Sequence, residues 1–508
     1  LLSLILVAIS LIVFFLNIRH GIGILPDTTR YMGINDQPYD APLYAWLFKV
    51  AAALGFDLTA TATVAAIVLL CANAVLLVTL LYRLTGQITY AAAGAALVVF
   101  APQFVTQHAL AMSEPLFLML LFVTMHLSLS YLETEKRRTL ALSGLALGAA
   151  SLARFTAPPL GAALATVYLL NPGRRLSRRV ADTAILSAIS GGVFFGWVLS
   201  SHLSGAQSIG RDLSFLGTMG LREWYISLTA MAAWMLPDDV PDVVRIPVLL
   251  LVLAGCAILV CRMVVDWRRS SLPEMSAADL MLVALSLFFV FYVAFVFLAS
   301  AIEANLHLNG RYGFPAQVTL AIVATSLAAR LLSKPGQPRA LAMALTAFAA
   351  VIVAVHGTRT AVRTHDVYRA GLGFNGLTWK ESPALAGVRK LPADSVIYSN
   401  GADAISYIIG RQAHFIPHER LLRTNLPDPV NPLPSQIAAM QKNAETRPVH
   451  VVYLDKVWWR PYLIVEEKLA KSAGLELIET QTDGRIYKIA TLPKGALPAT
   501  TPVQENAE

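Results

Sequence analysis

The stretch Leu25-Pro26-Asp27-Thr28-Thr29-Arg30-Tyr31 sets an acid, a base and an aromatic ring side by side, just after a first apolar segment. Nearly everything else before residue 357 is greasy. A charge inside a bilayer costs about 2.5–3.5 kcal/mol at a helix centre by insertion scales, so charged residues among spans usually have a role. Asp27 falls at the end of a span, where this cost is smaller. A plain Pro-Asp turn in a polar loop is therefore the alternative reading.

The chain around the stretch is that of a membrane protein. Of its 508 residues 56% are hydrophobic and 14% charged, with mean hydropathy +0.59; soluble domains carry about 25% charged residues. The net charge of +8 sits mostly in short loops between apolar runs. It therefore reads as membrane orientation and not as nucleic-acid binding. Cys71, Cys256 and Cys261 all lie in apolar segments, so neither a disulfide framework nor a metal knuckle is indicated. The chain begins at Leu1 without methionine and is expected to lack some N-terminal residues. No small-residue cleavage site follows Leu1–Leu16, so this segment reads as a span and not as a signal peptide.

Apolar runs predict eleven spans: Leu1–Leu16, Ala60–Leu81, Tyr90–Val105, Pro115–Leu132, Leu140–Ala153, Thr156–Leu170, Ala181–Ser200, Ile246–Val265, Leu280–Ser300, Pro315–Leu332 and Ala340–Val355. Alternate loops hold Arg83, then Lys136 to Arg138, then Arg174 to Arg179, then Arg262 to Arg269, then Arg330 to Arg339. The positive-inside rule puts these loops and the N-terminus in the cytoplasm. The Asp27, Glu114, Arg154 and Arg311 loops then share the external face. Leu221–Leu236, with Trp224, Tyr225 and Trp234, reads as a helix lying in the interface or a loop packed on its neighbours.

Residues 1–356 form the membrane domain in this reading. Residues 357–491 form a small external α/β domain, and 492–508 a disordered tail. In the α/β part Val396–Ser399, His450–Leu454, Leu475–Thr480 and Arg485–Ile489 read as strands. Ala402–Ile409 and Tyr462–Ser472 read as helices, and Asp483-Gly484 as a hairpin turn. The fold class is mainly α: a polytopic bundle with a small C-terminal α/β domain.

Pro26-Asp27-Thr28-Thr29-Arg30-Tyr31 resembles the Pro-Asp-Glu-Thr-Arg-Tyr motif of the aminoarabinose lipid A transferases. Tyr39-Asp40-Ala41-Pro42-Leu43-Tyr44-Ala45-Trp46 resembles their Glu-Lys-Pro-Pro-Leu-Tyr-Tyr-Trp segment. Ser113-Glu114-Pro115-Leu116 and Arg311-Tyr312 before Pro315 open spans in a similar way. These enzymes belong, with the protein O-mannosyltransferases, to the GT-C glycosyltransferases. Thr28 stands at the place of a second acid, and Ala41 at that of a lysine.

The resemblance implies transfer of a monosaccharide from a polyprenyl-phosphate carrier to an acceptor hydroxyl, inverting, on the periplasmic face of a bacterial cytoplasmic membrane. It implies Asp27 as the general base. Cations must face the departing phosphate, and arginine suits phosphate: Arg30, Arg154 and Arg311 are the candidates, with Tyr312 as a neutral donor. Glu114 is a second acid, or a favourable charge at a helix start. Tyr31, Asp40 and His108 are candidate substrate contacts. Arg154 as the cap of a hairpin, Arg311 paired with Glu303, and Arg30 paired with Asp27 are the structural alternatives. No cofactor is required. His108 with nearby acids has no recognisable metal spacing, and a divalent cation stays open. Expected partners are the lipid-linked sugar, an acceptor lipid, glycan or protein, and membrane lipids, but no nucleic acid. An oligosaccharide ligase or polymerase with a diphosphate carrier, and a transporter or flippase, are the alternative functions.

Overall fold

The computed structural model describes residues 1–35, 41–171, 173–204, 220–269, 275–303, 306–334 and 336–489. The chain divides into two compact units, Leu1–Trp379 and Lys380–Glu508.

The first unit is helical. It opens with α1 (Leu2–Asn17), the short α2 (Pro26–Tyr31), α3 (Pro42–Ala53) and α4 (Leu58–Thr85). There follow α5 (Ile88–Val99), α6 (Pro102–Ala109), α7 (Glu114–Thr134), α8 (Arg137–Ala153), α9 (Pro158–Leu170) and α10 (Leu176–Leu203). Then come α11 (Leu221–Ala232), α12 (Asp242–Arg269), α13 (Ala277–Ile302), α14 (Phe314–Ser333), α15 (Arg339–Ala370) and the single turn α16 (Leu377–Lys380). Proline opens α2, α3, α6 and α9, where its missing N–H costs nothing and its fixed φ is already helical.

All eleven predicted spans fall on helices, but not all reach membrane length. Among the described residues 7 helices are long and apolar enough to cross a membrane, or 8 with the bent pair α5–α6. The remaining three are α1 with 16 residues, α8 with 17 and α9 with 13. The α5–α6 pair bends by 60° because Pro102 forces Ala101 out of the helical region, to φ −67 and ψ 134.

The last long helix does not stop at Val355. α15 runs on to Ala370 because its polar residues recur every four positions and are all used on one face. His356 bonds the carbonyls of Leu97 at 3.0 Å and Trp234 at 2.8 Å. Thr360 donates to the Phe100 carbonyl at 2.7 Å, and Asn17 donates to Thr364 at 2.9 Å. The rise in polarity at residue 356 is a hydrogen-bonded stripe and does not mark the end of the helix.

The second unit contains α17 (Pro383–Lys390), β1 (Val396–Ser399), α18 (Ala402–Ile409), β2 (Ala413–Phe415) and α19 (Leu433–Ala444). It ends with β3 (Val449–Leu454), α20 (Glu466–Ala473), β4 (Leu475–Gln481) and β5 (Gly484–Ile489). The sheet order is β2-β1-β3-β5-β4. β1 pairs in parallel with β2 and β3, while β5 runs antiparallel to β3 and β4. β3 is buried on both faces, as a central strand must be. β2, α17 and α19 were not expected from the sequence. Inside this unit Arg460 grips Asp403 with two hydrogen bonds, of 3.0 and 2.6 Å. The tail predicted for 492–508 lies outside the described residues.

Candidate active site

Segment 22–28 is fixed before any functional side chain is considered. Gly23 N–H donates to the Ala109 carbonyl at 2.9 Å, and Ala111 N–H returns a bond of 2.9 Å to Gly23. On the other side Phe374 N–H donates to the Ile24 carbonyl at 2.8 Å, and Asn375 Nδ2 to the Ile22 carbonyl at 2.7 Å. The stretch is thus held between the α6–α7 connection and the loop after α15. Thr28 completes the anchorage. Its hydroxyl accepts from Leu25 N–H at 3.0 Å and donates to the Ala111 carbonyl at 2.9 Å, and its side chain is fully buried.

α2 then presents Asp27 and Arg30 on one face, three residues apart, and they form an ion pair. Asp27 Oδ2 also accepts from Arg311 Nη1 at 2.6 Å. Arg311 Nε donates to Glu114 Oε1, and Arg154 Nη1 lies 2.6 Å from the same oxygen. The second Glu114 oxygen is buried without a hydrogen-bond partner. Five charged groups from four separate places in the chain, α2, the start of α7, the end of α8 and the turn before α14, therefore form one chain of ion pairs. Three arginines face two carboxylates, so these five carry one surplus positive charge.

The cluster is braced by neutral groups. The Tyr312 ring lies beneath both guanidiniums, with centroid distances of 5.4 Å to Arg154 and 5.8 Å to Arg311. Asn309 Oδ1 accepts from the N–H groups of Arg311 and Tyr312 at 2.9 and 3.0 Å and so shapes their turn. Tyr292 donates to the Tyr312 carbonyl at 2.9 Å. The Tyr31 hydroxyl is 3.4 Å from Ser113 Oγ, and Arg154 Nη1 is also 3.4 Å from that oxygen. Tyr44 packs edge-on against Tyr31, ring centroids 5.4 Å apart.

Burial alone would push the Asp27 carboxyl up. Arg311 and Arg30 outweigh it and hold the group well below the usual carboxylate range. Burial, with the Asp27 charge beside it, pushes the Tyr31 phenol up to about 12. At neutral pH the site thus holds an ionised Asp27 and a neutral phenol.

Asp27, Arg30, Tyr31, Glu114, Arg154, Arg311 and Tyr312, all singled out in the sequence, are brought together. Arg311 turns to Asp27 and Glu114, the pairing the sequence did not suggest. His108 does not join them. Its Nδ1 meets the Phe104 carbonyl at 2.7 Å and its Nε2 meets Asn73 Nδ2 at 2.9 Å. The ring is fully buried and has no nitrogen left for a substrate. Asp40 lies outside the described residues. Among the described residues no group of three or more His, Cys, Asp or Glu is placed to hold a metal ion. Sequence reasoning missed Ser113, Asn309, Tyr44 and Tyr292. Of these, Ser113 and Tyr44 lie inside the quoted motifs, and Asn309-Gly310 is a turn signal.

A cavity of about 840 Å³ opens along α5, α12, α14 and α15, with almost wholly apolar walls. Phe314 and Gln317, in the first turn of α14, line it just beyond Arg311.

The family model for dolichyl-phosphate-mannose-protein mannosyltransferases matches residues 36–197. Among solved structures, ArnT from Cupriavidus metallidurans in the apo state superposes with a TM-score of 0.55 at 14% identity, covering 96% of this chain and 98% of that one. The chain has the GT-C glycosyltransferase fold. ArnT from the same organism bound to undecaprenyl phosphate gives 0.53 at 13% identity, with the same two coverages of 96% and 98%. Arabinofuranosyltransferase AftD from Mycobacteria, in a mutant form, gives 0.50 at 15% identity and covers 96% of this chain but 41% of that one. The matched family and these neighbours are glycosyltransferases. No curated protein matches the sequence.

Proposed function

We propose that this chain is a membrane glycosyltransferase that moves a monosaccharide from a polyprenyl-phosphate carrier to an acceptor hydroxyl. The reaction takes place on the periplasmic face of a bacterial cytoplasmic membrane and inverts the anomeric carbon. The observation that carries this reading is the linked cluster of Asp27, Glu114, Arg30, Arg154 and Arg311 with its surplus cation. A departing polyprenyl phosphate gains negative charge, and fixed guanidiniums stabilise that charge as it develops.

The acceptor oxygen attacks the anomeric carbon while Asp27 takes its proton. The bond from that carbon to the phosphate oxygen breaks, and the electron pair leaves with the phosphate. Asp27 is a weak base while Arg30 and Arg311 hold it, because its low pKa gives little drive for proton transfer. The arriving phosphate competes for those guanidiniums. Asp27 is thereby released and becomes more basic only when donor is bound. Glu114 acts as a positioning residue, fixing Arg154 and Arg311 in the phosphate's path. The apolar cavity beyond Arg311 takes the carrier's hydrocarbon. The name of the matched family and the undecaprenyl phosphate bound to a neighbour both support a carrier of this class.

The test is transfer by purified protein in vesicles, with matched sugars on polyprenyl monophosphate and polyprenyl diphosphate. A new glycosidic bond of inverted configuration, formed from the monophosphate, is expected. Transfer from the diphosphate alone, or lipid translocation without a new bond, overturns the proposal.

A further inference from the structure

Beyond the last residue of α15 that lines the cavity, His356, the same helix carries two arginines, Arg359 and Arg363, that the catalytic cluster does not use. The cavity wall on α14 runs from Phe314 to Leu332, about 27 Å at 1.5 Å per residue. That is close to the roughly 30 Å hydrocarbon thickness of a bilayer. An ordinary acyl chain occupies one leaflet and would fill about half of it. The slot therefore fits a hydrocarbon long enough to cross both leaflets.

At one end the wall is formed by Trp234, Phe314 and His356. Along α15 the lining residues Leu345, Ile352 and His356 fall on one helical stripe. Arg359 and Arg363 continue that stripe by one and two turns. Arg359 Nη1 donates to the Ala233 carbonyl at 2.7 Å, which fixes the guanidinium beside Trp234. The acids acting on Arg359 from the neighbouring turn are Asp238 and Asp239. Of these, Asp238 is already paired with Arg245, as is Asp242. Asp366, farther along α15, meets His365 at 3.4 Å. Among the described residues neither Arg359 nor Arg363 forms an ion pair. In the wall itself, buried Trp234 Nε1 and Gln317 Oε1 have no hydrogen-bond partner. A long apolar slot with a spare indole N–H at one end, and two cations one and two turns farther along the same stripe of α15, is the complement of a long-chain lipid with an anionic head.

We propose that Arg359 and Arg363 form a second phosphate station, at which a polyprenyl monophosphate rests with its hydrocarbon in the slot before or after its phosphate occupies the Arg311 cluster. Only the chemical class of the lipid rests on the proposed function. A two-site path lets the spent carrier leave the cluster without first leaving the protein.

The test is binding, without turnover, of polyprenyl monophosphate and of the matched polyprenol to the full-length protein in detergent. It is run in the wild type and in Arg311→Gln, so that the cluster does not mask the station. The phosphate should bind at least about tenfold better than the alcohol in both. In the Arg311→Gln background, adding Arg359→Gln and Arg363→Gln should cost about tenfold for the phosphate and nothing for the alcohol. Unchanged phosphate binding in the added variants overturns the station, as does equal affinity for phosphate and alcohol. Equal binding of a two-chain phosphatidylglycerol also overturns it, since the slot would then be a general lipid surface. Asp27→Asn removes the carboxylate that competes with the phosphate for Arg30 and Arg311, so it should bind the monophosphate at least as well as the wild type does, and a failed transfer assay would leave the station result standing.

Discussion

Asp27 is gripped by Arg30 and Arg311, and this decides how its activity should depend on pH. Its pKa is depressed in the folded protein, so it stays ionised on lowering the pH past the usual aspartate value near 3.9. The stability gained from its ion pairs is complete above that value and is lost as pH falls through the depressed one. The acid limb of kcat/KM, which reports the free enzyme, should therefore lie below the ordinary carboxylate range. Arg311→Gln removes the stronger of the two attractions that oppose burial, so burial regains weight and the limb moves to higher pH. A limb that stays in place in a pH–rate profile contradicts the assignment. Thr28 shows how a motif can be legible while its reason is not. The resemblance marked it as the place of a missing acid, whereas here its hydroxyl is fully used inside the fold. Asp27, Glu114, Arg154 and Arg311 were legible because loop charges alone set them on one face. His108 was misleading because its partners, Asn73 and the Phe104 carbonyl, become neighbours only through helix packing.

Among the elements, the helices were readable from hydropathy and their ends were not. α15 outran its predicted end because Thr360 and Thr364 look like loop residues in sequence but face partners on other helices. The span predicted over Tyr90–Val105 became two helices because Pro102 acts on the residue before it. The loop after α15 matters for the site, since Ile24 is bridged to Gly373. Gly373 has φ +54, and a Cβ there would collide with the Ile24 carbonyl. Gly373→Ala should thus unseat the anchor of α2, lowering both the thermal midpoint and the transfer rate, with a loss of about 1–3 kcal/mol. An unchanged midpoint in a melting experiment would show that this bridge does not hold α2.

For the whole molecule, the sequence conveyed a greasy helical unit followed by a mixed α/β unit, because the two differ sharply in composition. It did not convey β2, a strand of 3 residues, whose existence depends on pairing in parallel with β1 across the intervening α18. Nor could it convey how four distant places converge on one line of ion pairs. Convergence is what the function rests on. In the proposed function the surplus cation serves as the leaving-group site, the apolar cavity beyond Arg311 as the lipid path and the carboxylate of Asp27 as the base. Asp27→Asn tests this most directly, because it keeps the shape of the side chain and removes its charge and basicity. In purified, reconstituted protein the variant should fold and bind polyprenyl monophosphate while sugar transfer falls by about 10²–10⁴-fold. Near-wild-type turnover in that variant would contradict the account.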